Sequence, residues 1–159
     1  SGTNQTAIVA SNGGTQTFAS KGFGHEEYSI FTPVTNASIG ANGLQIMKTG
    51  LLHCTFNQDI ITVGSTSYCS CTVRRYNEAL NNSVTVCSTL RTNTNGHWDM
   101  VNGDFICDVV AGDVITFTYA AGSISAMDGG TWSNYNFMLH PTAITSQGTA
   151  GTNLPWVHQ

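Results

Sequence analysis

Apolar and polar residues alternate with a period of two along much of this chain, most clearly in the segment that follows Gly112 and Asp113. A glycine-aspartate pair favours a tight turn, because glycine tolerates unusual backbone angles and aspartate bonds its own backbone. The alternation after it predicts a half-buried strand. One face would carry Val114, Thr116 and Thr118, and the other Ile115, Phe117 and Tyr119.

Similar short segments recur along the chain, separated by turns rich in Gly, Asn and Ser. Strands are predicted over residues 28–31, 44–47, 51–63, 68–76, 83–90, 104–110, 114–119 and 133–140. Turns are predicted over 77–82 and 93–96, and glycine-bearing loops over 64–67 and 123–130. About eight strands at this spacing are typical of an all-β sandwich or barrel of the jelly-roll kind.

The pattern divides the chain into three parts. Residues 1–22 are polar and predict a leader or linker that joins something upstream. Residues 23–141 hold the predicted strands and form the head domain, which Pro141 ends. Residues 142–159 form a tail rich in Gly, Thr and Ser.

Composition narrows the class of protein. Charged residues make up only 9% of the chain, and the formal net charge is -4. No basic patch could neutralise a phosphate backbone, so nucleic-acid binding is disfavoured. No apolar run approaches the roughly 18 residues of a membrane-spanning helix, so membrane insertion is not expected. A surface built from hydroxyls and amides is typical of secreted and virion-surface proteins.

The cysteine count is five, so at least one thiol has no partner within the chain. All of them lie in apolar or alternating stretches and are expected to be small buried hydrophobic residues: Cys54, Cys69, Cys71, Cys87 and Cys107. A disulfide such as Cys71–Cys87 stays open. The Cys69-Ser70-Cys71 spacing disfavours zinc. Abundant free thiols favour folding in a reducing compartment.

Catalytic constellations are not visible. His53 and Cys54 are neighbours on one predicted strand, so their side chains point to opposite faces and form no dyad. The nucleophile elbow Gly-x-Ser-x-Gly is absent, and Glu26 and Glu27 diverge as neighbours. The sequence therefore predicts a protein that is not an enzyme and needs no cofactor.

Two tryptophan-bearing loops are the best candidates for a ligand site. A tryptophan stacks on a sugar ring, while neighbouring amides and carboxylates bond the sugar hydroxyls. Loops on a rigid sandwich are where binding residues concentrate. The candidate residues are Asn95, His97, Trp98 and Asp99 in the first loop, and Asp128 and Trp132 in the second. The alternative is that each tryptophan covers one end of the barrel.

Arg74 and Tyr76 form a second candidate patch near a predicted hairpin end. They would recognise an anionic or sugar group, or would keep an edge strand from aggregating. Calcium is a further candidate ligand because of five scattered aspartates, but none has the dense oxygen spacing of a loop site. Its residues stay unassigned.

Three blocks, in this order, resemble the globular heads of complement component 1q. Residues 49–56, Thr-Gly-Leu-Leu-His-Cys-Thr-Phe, are similar to the strand after the family's Gly-Leu-Tyr. Residues 110–115, Val-Ala-Gly-Asp-Val-Ile, resemble its Leu-x-x-Gly-Asp-x-Val strand, and residues 135–139, Tyr-Asn-Phe-Met-Leu, its closing strand. Leu52, Cys54 and Asn136 depart from the family pattern. The resemblance covers about residues 28–140.

The resemblance implies a ten-strand jelly roll related to tumour necrosis factor, of a bacterial or bacteriophage type, that assembles as a trimer. Such heads cap collagen-like or fibre stalks. The aromatic residues of the closing strands are the expected trimer contacts, because aromatic surface is typical of interfaces: Phe117, Tyr119, Tyr135 and Phe137. The alternative is that all four lie in the core of one chain.

These observations together predict a non-enzymatic homotrimeric head at the virion surface or the cell exterior, where it binds a glycan or a protein receptor. The first setting to consider is the tip of a bacteriophage fibre. The alternatives are the head of a bacterial surface or spore collagen-like protein, and a cap that only trimerises a stalk.

Overall fold

The computed structural model describes residues 3–10, 17–21, 30–36, 41–63, 68–121, 124–128 and 132–141. In those ranges the secondary structure consists of strands. They are β1 (Thr3–Ala10), β2 (Thr17–Lys21), β3 (Phe31–Asn36), β4 (Ala41–Ile46), β5 (Gly50–Thr62), β6 (Tyr68–Asn77), β7 (Asn82–Thr92), β8 (Trp98–Val109), β9 (Val114–Ala121), β10 (Ile124–Met127) and β11 (Asn134–Pro141). Within these ranges there is no helix of the length and hydropathy that a bilayer crossing needs.

The strands form two antiparallel sheets. The first sheet runs β10-β5-β11-β1-β2, with β8 paired to the other edge of β5, and the second runs β3-β4-β9-β6-β7. The two sheets pack face to face as a sandwich, because each has one apolar face to bury. This architecture confirms the predicted all-β jelly-roll fold.

The core fills the space between the sheets with the inward residue of each alternating pair. On β9 one of the two predicted faces lies in this core, with all three of its residues buried: Ile115, Phe117 and Tyr119. On β5 the burial pattern alternates along all 13 residues, as the period of a strand with one buried face requires. Phe117 packs edge-to-face on Tyr135 with ring centroids 4.8 Å apart, the geometry that aromatic quadrupoles favour.

The four aromatic residues expected at a trimer contact lie in this core. Phe117, Tyr119, Tyr135 and Phe137 are each 0–7% exposed and pack between the two sheets of one chain. They have almost no surface left for a neighbouring copy, so the structure favours the alternative, intramolecular role.

The predicted leader also needs correction. Within residues 1–22, β1 pairs with β11 and β2 pairs with β1, so both strands extend the first sheet. The sheet therefore begins before the boundary at residue 22. The polar sequence gave no clear strand pattern in this segment, and for β2 this fits its place at the edge of the sheet, where polar residues are tolerated. The tail at 142–159 lies outside the described residues.

The direction of the strands gives the sandwich two different ends. At one end, the base, β1 begins and β11 ends, since Thr3 pairs with Leu139. The turns at 47–49, 78–81 and 110–113 also lie at the base. We call the other end of the sandwich the loop end. There β5 ends at Thr62, and a turn connects β7 to β8.

The base is closed by a turn that the sequence predicted. Gly112 adopts a left-handed φ of 99°, and the Asp113 amide donates to Val110 O at 2.9 Å. The Asp113 carboxylate accepts from Val110 N at 2.9 Å and from the amide of Asn77 at 2.7 Å. One buried aspartate thus ties the turn before β9 to the hairpin that joins β6 and β7.

Candidate functional site

The connection between β7 and β8 is a short turn held to the end of β5. His97 N donates to Thr94 O at 3.1 Å, and Gly96 takes a φ of 78° that favours glycine. Gly96 N donates to Thr62 O at 2.8 Å, which fixes the turn over the loop end. Asn95 and His97 are exposed at its tip. Two of the predicted ligand residues therefore stand on an anchored turn.

Trp98 and Asp99 begin strand β8, although the sequence placed them in the loop. Trp98 pairs with Ile61 and Asp99 with Ile60. Directly paired residues share a face, and Ile60 is buried, so Trp98 lies on the outer face of the first sheet and Asp99 on the inner side. Trp98 is 50% exposed.

The Asp99 carboxylate is already used by its own turn. Asp99 Oδ2 accepts from Thr94 N at 2.7 Å, and Oδ1 lies 3.8 Å from the Arg91 guanidinium. A carboxylate has about four acceptor positions, so some remain for a ligand hydroxyl. Its first role in this geometry is to hold the turn that presents Asn95 and His97.

The second tryptophan loop lies on the opposite side of β5. Asp128 N donates to Asp59 O at 2.9 Å, so the loop starts as a continuation of the β10 ladder. Asp128 Oδ2 then accepts from the backbone amides of Trp132 at 2.7 Å and Ser133 at 2.8 Å. The backbone of Trp132 is held, while its side chain is 68% exposed.

Two predicted ligand residues, Asp99 and Asp128, influence the ionisation of Asp59 near the end of β5. Burial raises the pKa of Asp59, and the negative charges of Asp128 and Asp99 raise it further. Each of the two carboxylates therefore lies within electrostatic range of Asp59, and the Arg91 guanidinium lies beside Asp99.

Arg74 and Tyr76 do not join this group. Tyr76 pairs with Val114 near the base, far along the strand from the loop end. Its side chain is buried, and its hydroxyl donates to Asn81 Oδ1 at 3.4 Å. Arg74 is exposed and pairs with Thr116 on the outer face of the second sheet. These two residues thus form no common site with the tryptophans.

The described part of the chain contains neither a metal-binding cluster of side chains nor a disulfide. There, no three His, Cys, Asp or Glu side chains are grouped so that they could hold a metal ion. The five cysteines are free thiols, with Cys54, Cys69 and Cys71 buried. The Cys71–Cys87 disulfide that the sequence left open is not formed.

Sequence reasoning missed Gln58 and Ser133, which connect the core to the second tryptophan loop. The Ser133 hydroxyl accepts from Asp59 N at 2.8 Å and from Gln58 Nε2 at 3.2 Å. One signal was readable: Gln58 is a polar residue at an inward position between Phe56 and Ile60. A buried glutamine in an apolar face must find partners.

Comparisons with known proteins define the fold. No protein-family model matches the chain, and no curated protein sequence matches it. Solved structures do match. The Eiger TNF of S. frugiperda superposes with a TM-score of 0.68 at 10% identity, covering 89% of this chain and 94% of that one.

Murine APRIL gives a TM-score of 0.66 at 9% identity, over 88% of this chain and 100% of that chain. The globular domain of zebrafish complement 1qA gives 0.59 at 12% identity, over 88% of this chain and 99% of that one. The chain therefore has the fold shared by tumour necrosis factor and complement 1q heads. Identities this low establish the fold and leave the ligand open.

Proposed function

We propose that this chain is a non-enzymatic head domain that assembles as a trimer and binds a cell-surface ligand, in the first place a glycan, through its loop end. The observation that carries the binding part is Trp132. It is a large aromatic side chain, 68% exposed, whose backbone amide donates to Asp128 Oδ2, as does the next amide along the chain, that of Ser133. An exposed ring on a fixed backbone suits stacking on a sugar.

The trimeric part rests on the outer face of the first sheet. His53 on β5 lies between Ile106 on β8 and Met138 on β11, and Leu51 lies one outward position away. Ile106 is 60% and Leu51 37% exposed. We call these four residues the assembly face. Met138 and His53 are half-buried beside the other two, and clustered apolar side chains such as Ile106, Leu51 and Met138 mark interaction surfaces. The fold's relatives support a second and third copy as the occupants.

The setting that we propose is the tip of a bacteriophage fibre, outside the cell or on the virion surface, with a stalk attached at the base. Its support is the charge-poor surface and the geometry of the base, where β1 begins and β11 ends. The second candidate is a trimerisation cap, on a fibre or on a bacterial surface or spore collagen-like protein. The assembly face favours the trimerisation cap, because a cap needs only the contact between copies and no ligand.

Glycan binding is tested with Trp132→Ala on an array of bacterial cell-wall polysaccharides and animal glycans. We expect the signal of the unaltered protein to fall at least about tenfold, the effect of losing an aromatic contact of 1.4 kcal/mol or more. Leu80→Ala is the matched control, because Leu80 is 70% exposed but lies at the base.

An unchanged signal for Trp132→Ala would remove this loop from the site. A blank array with well-folded protein would leave two candidate functions, a trimerisation cap and a head that binds a protein receptor. Trp98→Ala serves as a second probe, and it reports on the outer face of the first sheet rather than on the Asp128 loop.

A further inference from the structure

A chain of hydrogen bonds crosses the core from the second sheet to the loop that carries Trp132. The hydroxyls of Tyr119 and Tyr135 lie 2.7 Å apart, and Tyr135 Oη lies 2.8 Å from Gln58 Oε1. Gln58 and Tyr135 are fully buried and Tyr119 nearly so. Polar atoms this deep are costly unless they are bonded, so the chain fixes the orientation of each group.

The direction of these bonds follows from the chemistry of Gln58. Its Oε1 can only accept, so Tyr135 must donate to it. Tyr135 has one hydroxyl hydrogen, so Tyr119 in turn donates to Tyr135. The Gln58 amide is thereby held with Oε1 toward the core and both Nε2 hydrogens toward the loop end.

Those hydrogens hold the start and the end of the Trp132 loop. Gln58 Nε2 lies 3.0 Å from Asp128 O, at the start of the loop, and 3.2 Å from Ser133 Oγ, at its end. Its third acceptor is Asp59 O on β5, at 3.1 Å. Ser133 Oγ also accepts from Asp59 N at 2.8 Å. Trp132 is therefore an exposed residue placed directly beside a buried anchor.

We propose that Gln58 and Ser133 are positioning residues for Trp132, which hold the ring in its ligand-binding place without touching the ligand. This inference rests on the proposed function of Trp132. Holding the loop before binding reduces the ordering cost that a ligand would otherwise have to offset. Tyr135 orients the Gln58 amide, so the rigidity of the core extends to the loop.

The test compares Gln58→Met with Tyr119→Phe in the ligand-free protein. Methionine keeps the approximate length of glutamine and removes its bonds to Asp128 and Ser133. Phenylalanine at 119 removes one buried hydroxyl from the same chain but leaves every bond to the loop. Both variants lose stability, and only the first should release Trp132.

Two readouts follow the loop itself. One is amide hydrogen exchange at Trp132 and Ser133. The other is acrylamide quenching of Trp132 in a background with Trp98→Phe and Trp156→Phe. In Gln58→Met we expect exchange of these two amides to rise roughly tenfold or more, beyond any change in global stability, with stronger quenching. In Tyr119→Phe the exchange rates and the quenching should stay within about twofold of those of the parent protein, after correction for the change in global stability.

Equal exchange in the two variants would overturn the inference. If Gln58→Met does not fold, Ser133→Ala takes its place, since it deletes a single hydroxyl. The same variants are then placed on the glycan array. Faster exchange in Gln58→Met, together with a blank glycan array, would support positioning and contradict glycan binding. A strong array signal that is unchanged in Gln58→Met would support glycan binding and contradict positioning.

Discussion

Cysteine serves as a small apolar residue at several inward positions of the strands. Burial there changes the chemistry of its thiol. Burial raises the pKa of Cys71 to about 12 and those of Cys69 and Cys107 to about 11. Burial also raises the pKa of Cys54 well above its usual range. These thiols stay protonated and unreactive at neutral pH, because only the thiolate is nucleophilic.

The raised pKa values predict a loss of stability in alkali. Below about pH 8.5 the thiols are protonated in both states, so their contribution does not change. Above that pH the unfolded chain releases protons that the folded chain retains. The free energy of unfolding should then fall by up to about 1.4 kcal/mol per pH unit for each retained proton.

Urea-unfolding midpoints at pH 8.0, 9.5 and 10.5 measure this effect, and Cys69→Val should make the decline shallower by about one proton. Midpoints that do not move between pH 8.0 and 10.5 would contradict it.

Individual residues differ in how far the sequence could place them. Alternation alone placed Phe117 and Tyr119 on one face of their strand, but it did not show whether that face would meet the second sheet or another chain. That question depends on how closely two sheets approach, which no local pattern contains. Gln58 shows the converse case, since its polarity marked it but its partners Asp128 and Ser133 lie 70 and 75 residues away.

At the scale of elements, the turns were the most readable features. Gly112 and Asp113 form the predicted turn, because positive φ and side-chain-to-backbone bonds are local properties. Strand pairings over long separations were not readable, and neither was β1, whose partner β11 lies at the far end of the sequence. Trp98 was misplaced because a loop and the first residues of a strand can share the same composition.

Asp113 links two such elements, and its removal should be costly. Asp113→Ala leaves Val110 N and the Asn77 amide without their shared acceptor at a buried position. We expect a loss of about 1–3 kcal/mol in the free energy of unfolding, because two partly buried donors lose the acceptor that they share. Thermal and urea unfolding measure it.

Glu78→Ala is the control, since Glu78 is exposed in the turn at 78–81 at the base and its carboxylate makes no hydrogen bond or ion pair within the described part of the chain. Equal losses in the two variants would show that the link at the base does not stabilise the fold.

At the scale of the whole molecule, the two sheets have different outer faces. The outer face of the first sheet carries the assembly face, whereas the middle of the second sheet's outer face carries hydroxyls such as Thr72 and Thr118. That second outer face also exposes Tyr68 and Leu90 toward the loop end. We expect the assembly face, and not this pair, to meet another copy. Light scattering of the unaltered protein should give three times the 16.9 kDa mass of the chain.

Ile106→Arg should shift that assembly toward monomers, because it replaces an apolar contact with a charged group that must lose its water when the face is covered. Thr118→Arg places the same charge on the other outer face and should leave the mass unchanged. A monomer mass for the unaltered protein at micromolar concentration, or a trimer in Ile106→Arg, would contradict the assigned face.

The pairing of β1 with β11 at the base has a mechanical consequence. A pull that separates the start of β1 from the end of β11 would open their hydrogen bonds one after another, like a zipper. A pull between the loop end and the base instead runs along the strands, so that whole ladders bear the load together in shear. A head that grips at its loop end and is tethered at its base would therefore be strained along its stronger axis.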